Sequence, residues 1–242
     1  MTKVIAHRGF SSQYPENSML AFEKAIEIGA DGAEFDVQLT KDGIPVVFHD
    51  EGLLRMTGLD ALVADLTLEE LNALRLCGPI ADRCEPQRIP TLEEYFSLAA
   101  KHDFLSVVEL KTAFNEYPGI EEKVIALIRA HDMADRVIIS SFNHYSLLRS
   151  KAIAPALPHA ILYECRIADP QLYAKALGMQ YLHPHYLFLN DAELQKYEAV
   201  GIRTNPWTVD EEADMRYLLG QPNVSCIMTN KPDLLMAVRS GA

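Results

Sequence analysis

The sequence predicts an α/β fold, a (β/α)₈ barrel of the TIM type with a β-hairpin and a small insertion after strand 2. Three observations point there. Short aliphatic runs alternate with helix-like patterns along all 242 residues, and strict alternation implies parallel strands joined by crossover helices. Eight such runs occur, the repeat number of the barrel. No Gly-rich phosphate fingerprint favours the alternative, an open doubly wound sheet. No linker composition divides the chain, so residues 1–242 are expected to form a single domain, with residues 51–90 as the insertion.

VIAHR is the first strand. The helical pattern NSMLAFEKAIEIGA follows, with Asn17 or Ser18 as its cap and Gly29 as its stop. GAEFDV is the second strand and runs into the hairpin EFDVQLTKDGIPVVFHD, residues 34–50. Asp42-Gly43 is a tight-turn pair. As a two-residue loop it sets Leu39 opposite Val46, Val37 opposite Phe48 and Asp36 opposite His49; a three-residue loop moves every pairing by one. Residues 51–90 are less regular, with a capping box from Thr67 to Glu70 and a break at Gly78-Pro79. A second capping box, Thr91 to Glu94, opens TLEEYFSLAAKH. LSVVELK, RVIISSF, HAILYE, QYLHPHY, IRTNPWTV and VSCIMTN then read as strands, each followed by a helical pattern.

Composition narrows the function. A formal net charge of −12 without a Lys/Arg run argues against nucleic acid as a partner and against electrostatic docking on anionic membrane. Stable membrane insertion is not expected, because no apolar stretch approaches the length of a span. Cys77, Cys84, Cys165 and Cys226 form no CxxC pair and have no zinc-ligand spacing with histidine. Isolated thiols and an N-terminal apolar run of only VIA point to the cytoplasm. Self-association into a homo-oligomer stays open.

In such barrels function gathers where strands end and βα loops begin. His7-Arg8 ends the first strand, Glu34-x-Asp36 the second, Glu109-Leu-Lys111 the third. The returning hairpin arm brings His49-Asp50. Residues two apart on a strand share a face, so Glu34, Asp36 and Glu109 offer three carboxylates with no sulfur. That donor set suits a hard divalent cation, Mg²⁺ or Ca²⁺. Arg8 and Lys111 suit a phosphate, and His7 and His49 suit general acid–base work near neutral pH. The bland reading pairs Arg8 with Glu34 and Lys111 with Glu109. It balances charge without explaining why these groups gather at one end.

HRG at the start, PENS, ExD, a TxDG hairpin ending in HD, VELK and WTV occur in this order over essentially the whole chain. The ensemble resembles the glycerophosphodiester phosphodiesterase family, which carries an insertion at the place of residues 51–90. The resemblance implies a metal-dependent hydrolase of lipid and glycerol metabolism. It would cleave small glycerophosphodiesters to glycerol 3-phosphate and an alcohol. It implies His7 and His49 as catalytic residues, Glu34, Asp36 and Glu109 as ligands of a divalent cation, and Arg8 and Lys111 as phosphate contacts. Asn17 matches the Asn of the family's Glu-Asn-Thr motif, and Trp207 lies in WTV; both are expected at the substrate. Asp210 stands where the family often has Asn, and Asn230 where it often has Asp, departures expected to touch only the shape of the pocket. Two alternatives remain: a lysophospholipase D-like activity on larger lipids, with Phe10, Tyr186, Phe188 and Trp207 lining an apolar pocket, or a non-catalytic phosphodiester-binding barrel.

Overall fold

The computed structural model describes residues 1–78 and 80–241. Pro79, the expected break in the insertion, lies outside them. The strands are β1 Lys3–His7, β2 Gly32–Leu39, β3 Pro45–Val47, β4 Leu105–Leu110, β5 Val137–Ser141, β6 His159–Tyr163, β7 Tyr181–Pro184, β8 Arg203–Thr204 and β9 Cys226–Thr229. The helices are α1 Met19–Glu27, α2 Leu54–Thr57, α3 Leu68–Asn72, α4 Leu92–Ala99, α5 Ile120–Ala130, α6 His144–Ile153, α7 Pro170–Ala176, α8 Asp191–Ala199, α9 Glu212–Leu219 and α10 Pro232–Arg239. The neighbour order is β8-β7-β6-β5-β4-β2-β1-β9. All these pairings are parallel. The ring closes between β8 and β9, where the Thr204 N–H donates to Asn223 O and the Ser225 N–H to Thr204 O, both at 3.0 Å. The eight expected runs all form strands of this nearly closed barrel. Among the described residues no helix is long and apolar enough to cross a membrane.

Alternate residues of each strand serve two cores. Ile5, Val107, Ile138, Ala160 and Met228 fill the barrel interior. Val4, Ala6, Phe35, Val108 and Ile139 face outward onto the helices. Burial on both faces explains why these strands read as aliphatic runs. Ser18, not Asn17, caps α1, its hydroxyl accepting from the Ala21 N–H at 3.1 Å. Both expected capping boxes form, at Thr67 and Thr91. The insertion is held by a smaller core in which Val46 and Phe48 of the hairpin meet Leu53, Val63, Leu71, Leu76 and Ile89.

The hairpin departs from the two-residue loop. Val37 pairs with Val47, Gln38 with Val46 and Leu39 with Pro45. Asp36 therefore faces Phe48, whose N–H donates to Asp36 O at 3.0 Å. The loop is Lys41-Asp42-Gly43, closed by Gly43 N–H on Thr40 O at 2.8 Å, with Gly43 at φ 77°. Thr40 shifts the count: its hydroxyl accepts from the Ile44 N–H at 2.9 Å and donates to Asp42 Oδ1 at 2.6 Å. A three-residue loop with a left-handed last residue is the next commonest hairpin after the two-residue forms.

Gly32, at the start of β2, tests the packing at the far end of the barrel from the strand-end carboxylates. A Cβ there would stand 2.2 Å from Leu105 O on β4. Gly32→Ala is expected to lose about 3 kcal/mol, the upper end of the usual overpacking range. Urea denaturation measures it, and parental stability would refute the close approach.

Candidate active site

The register of the parallel strands assembles the site. His7 pairs with Glu34, Asp36 with Glu109, and Glu109 with Ser140, so neighbouring strands deliver their polar residues at one level. One oxygen from each of Glu34, Asp36 and Glu109 lies within 4.8 Å of the others, and all three side chains are buried. Lys111 Nζ stands 3.0 Å from Glu109 and 3.7 Å from Asp36. Arg8 Nε stands 3.6 Å from Asp36 Oδ2, and Arg8 Nη1 donates to Glu16 at 2.9 Å. The bland pairing thus holds for Lys111 and not for Arg8, which binds Asp36 and Glu16.

The backbone at Arg8 is unusual. Arg8 and Gly9 both have left-handed φ, 55° and 79°. At Gly9 a Cβ would fall 2.7 Å from that of Ala21, so only glycine lets α1 pack here. Asn17, also at φ 55°, donates from Nδ2 to Asp36 Oδ2 at 2.9 Å. The structure thus places Asn17 behind Asp36, supporting that carboxylate, and not on the cavity wall.

His49 arrives by a bend, not by cross-strand pairing. The buried Gln38 amide donates to the carbonyls of Phe48 and Asp50, both at 2.8 Å, and so grips the chain on either side of His49. Gln38 is itself held by the Tyr117 hydroxyl at 2.7 Å. His49 Nδ1 lies 2.6 Å from Asp50 Oδ1, and Arg55 binds Asp50 at 2.5 Å and Glu16 at 2.7 Å. The chain Arg8–Glu16–Arg55–Asp50–His49 links the first βα loop to the insertion. Asp50 stands out in the sequence beside His49. Arg55, a lone surface arginine in an irregular segment, carries no such signal.

His7, Arg8, Glu34, His49, Glu109, Lys111 and Trp207 line one cavity of about 400 Å³. Phe114, Phe142 and Leu162 give it an apolar wall, and Glu51 and Glu164 add acids. Of the expected apolar residues only Trp207 is there. Phe10 is in the outer core with Tyr186 packed against it, and Phe188 lies beneath Arg166. Asp210 and Asn230 do not line the cavity. Asn230 instead lies behind His7, its side-chain amide 2.7 Å from Nδ1.

Burial and charge divide the carboxylates. Burial would raise Asp36, yet Arg8, Lys111 and His49 hold it well below the usual range. Burial, then Asp36 and Glu109, push Glu34 well up. Glu109 rises to about 7 through burial and Asp36, against Lys111. Burial and Arg8 lower His7 to about 4, leaving it neutral. Glu34 Oε2 is buried without a hydrogen-bond partner. An orphaned carboxylate oxygen among three converging acids fits a hard divalent cation, with Glu34, Asp36 and Glu109 as the residues that would hold it.

Residues 7–234 match the glycerophosphoryl diester phosphodiesterase family. The chain belongs to that family. A glycerophosphodiester phosphodiesterase of Caldanaerobacter subterraneus subsp. tengcongensis is 44% identical, over 99% of both chains. One of Bacillus altitudinis is 38% identical, over 99% of this chain and 98% of the relative. A structure of an Oleispira antarctica phosphodiesterase in complex with the product sn-glycerol-3-phosphate superposes with a TM-score of 0.88 at 28% identity, over 99% and 97% of the chains. As a member of the family the protein is an enzyme, a phosphoric diester hydrolase.

The raised carboxylates give a pH-dependent prediction. Glu109 titrates at about 7 in the folded protein against an ordinary value of 4.5. Without a cation the folded state keeps a proton that the unfolded chain releases, so this group's contribution falls as pH rises through that window. Glu34 shifts in the same direction. Asp36 shifts the other way, but its contribution is lost only below the ordinary aspartate value of 3.8. Buried His7, His159 and His183, all lowered by burial, oppose the glutamates at acid pH. The comparison is therefore made with and without cation at each pH. The rise in Tm on replacing EDTA by excess Mg²⁺ or Ca²⁺ should be larger at pH 8 than at pH 5. Melting curves indifferent to both cations at both pH values would remove the metal site.

Proposed function

We propose that the enzyme hydrolyses glycerophosphodiesters to glycerol 3-phosphate and an alcohol such as choline or ethanolamine, with a divalent cation on Glu34, Asp36 and Glu109. A cluster of three buried carboxylates, two of which (Glu34 and Glu109) line one cavity with two histidines and two cationic side chains, carries this reading. The product bound by the Oleispira antarctica relative supports the choice of substrate. Four free cysteines support a reducing, cytoplasmic setting.

The residues divide the work. Arg8 and Lys111 hold the phosphoryl group and stabilise charge on its oxygens. A bound cation would add Lewis-acid stabilisation of the same charge. Asn17 fixes Asp36, and Trp207 with Phe142 closes one side of the cavity, their rings edge-to-face with centroids 5.7 Å apart. His7, neutral and backed by an amide, takes the proton of the nucleophile, either water or the glycerol 2-hydroxyl; the latter forms a cyclic phosphodiester that a water then opens to glycerol 3-phosphate. His49 is backed by the Asp50 carboxylate, which stabilises an imidazolium. It delivers the proton to the leaving alkoxide.

The deciding experiment follows glycerol 3-phosphate release from a panel of glycerophosphodiesters while Mg²⁺ or Ca²⁺ is titrated into the chelated enzyme. His7→Ala and His49→Ala should each lose about 10²–10⁴ in kcat, the usual worth of a general acid or base, with the parental Tm. A His49→Ala enzyme with normal turnover would refute the paired-histidine mechanism.

One observation favours a second reading, cleavage of larger lipids. Ala113 and Phe142 belong both to the cavity and to a neighbouring groove lined by Tyr145, Leu148, Tyr173 and Leu177. An acyl chain leaving the cavity would find that groove. Lysophosphatidylcholine and glycerophosphocholine, compared by kcat/KM on one preparation, separate the two. The glycerophosphodiester is expected to be the better substrate, and the reverse order would make this a lysophospholipase D.

A further inference from the structure

His7 has two ring nitrogens, and only one of them can serve the reaction. Nε2 lies 3.7 Å from Glu34 Oε2, within the carboxylate layer, and Nδ1 points away to Asn230. A neutral imidazole carries its proton on one nitrogen and a lone pair on the other. Which is which decides whether Nε2 can accept a proton.

We propose that Asp210 is a positioning residue: through Asn230 it fixes the proton of neutral His7 on Nδ1 and leaves the Nε2 lone pair free. Asp210 Oδ1 accepts from the Asn230 backbone N–H at 2.8 Å and from the Thr229 hydroxyl at 3.0 Å. Asp210 Oδ2 stands 2.7 Å from the side-chain amide of Asn230. An ionised carboxylate only accepts, so the Asn230 group facing it must be the NH₂. The amide oxygen then faces His7 Nδ1, at 2.7 Å. Two acceptors cannot meet at that distance, so Nδ1 carries the hydrogen. Ser11 is consistent with this: its hydroxyl, 2.7 Å from His7 O and 2.9 Å from Asn230 Oδ1, shares one proton between two acceptors. Lys231 Nζ, donating to Asp210 O at 3.0 Å, ties the Asp210 loop to the end of β9.

Parity makes the relay testable by exchange. In Asp210→Asn the new amide oxygen can keep the Asn230 N–H and Thr229 bonds, which turns its NH₂ on the NH₂ of Asn230. Asn230 relieves this by flipping, and its NH₂ then faces Nδ1. His7 must move its proton to Nε2, the wrong tautomer for a base. Asn230→Asp added to Asp210→Asn restores the pattern, because the carboxylate then at position 230 accepts both from the amide at position 210 and from His7.

The inference rests on His7 as the general base, so the readouts are chosen to separate the two. On the wild-type protein at pH 8, ¹⁵N NMR of the His7 ring should show the Nδ1–H tautomer; an Nε2–H tautomer would overturn the inference whatever any variant does. Asp210→Asn should shift the ring toward Nε2–H and lower kcat about 10²-fold or more, with KM and Tm little changed. Loss of a tautomer-setting carboxylate in a serine-protease triad reaches about 10⁴. The double exchange Asp210→Asn/Asn230→Asp should recover most of kcat. Wild-type kcat in Asp210→Asn, beside an inactive His7→Ala, would overturn the role of Asp210 and spare that of His7. An active His7→Ala would instead refute the reading on which the inference rests.

Discussion

Three carboxylates within 4.8 Å of one another, buried at the mouth of the barrel, are the constraint around which the rest is arranged. At an effective dielectric of about 20, each ionised pair at that separation costs roughly 3 kcal/mol. The fold tolerates this by placing Arg8 and Lys111 against Asp36 and by shifting Glu34 and Glu109 toward their protonated forms. The arrangement is not a stabilising one. It keeps the carboxylate layer poised for a positive charge, and the outer core beneath the helices offsets its cost.

Strand register makes such a cluster attainable. Parallel strands hold their residues level, so acids two apart on β2 and one acid on β4 converge without any loop having to be placed. This is why the carboxylate cluster was legible from sequence: i, i+2 spacing at strand ends translates directly into a shared face. The eight strands were legible for a related reason. Burial on both sides leaves little room for anything but aliphatic residues, and capping boxes at Thr67 and Thr91 mark helix starts chemically.

What stayed hidden depends on contacts distant in sequence or on a single hydrogen bond. Thr40 changes the hairpin from a two-residue to a three-residue loop through its own hydroxyl. A slip of one residue should have turned His49 to the wrong face. Gln38 corrects for it by pulling in the carbonyls on both sides of His49, with Tyr117 orienting its amide from 79 positions away. An alternating strand pattern contains such a glutamine without distinguishing it from a solvent-facing one. The same holds for Arg55, whose value lies in touching Glu16 and Asp50 together. At Asp210 and Asn230 the departures from the family pattern were visible, but their consequence was not, because only the fold reveals that the two side chains bond to each other.

The two histidines end up unlike despite being the same residue type in one cavity. Each ring is held through Nδ1. His49 rests directly on a carboxylate, Asp50. His7 rests on a neutral amide, and the carboxylate stands one side chain further back. An amide in between passes on orientation but only a diluted charge. His7 is thus aligned as firmly as His49 without being pulled toward the imidazolium form, and burial beside Arg8 opposes that form further. The two rings are set apart by what stands behind each: an amide and then a carboxylate for His7, a carboxylate alone for His49.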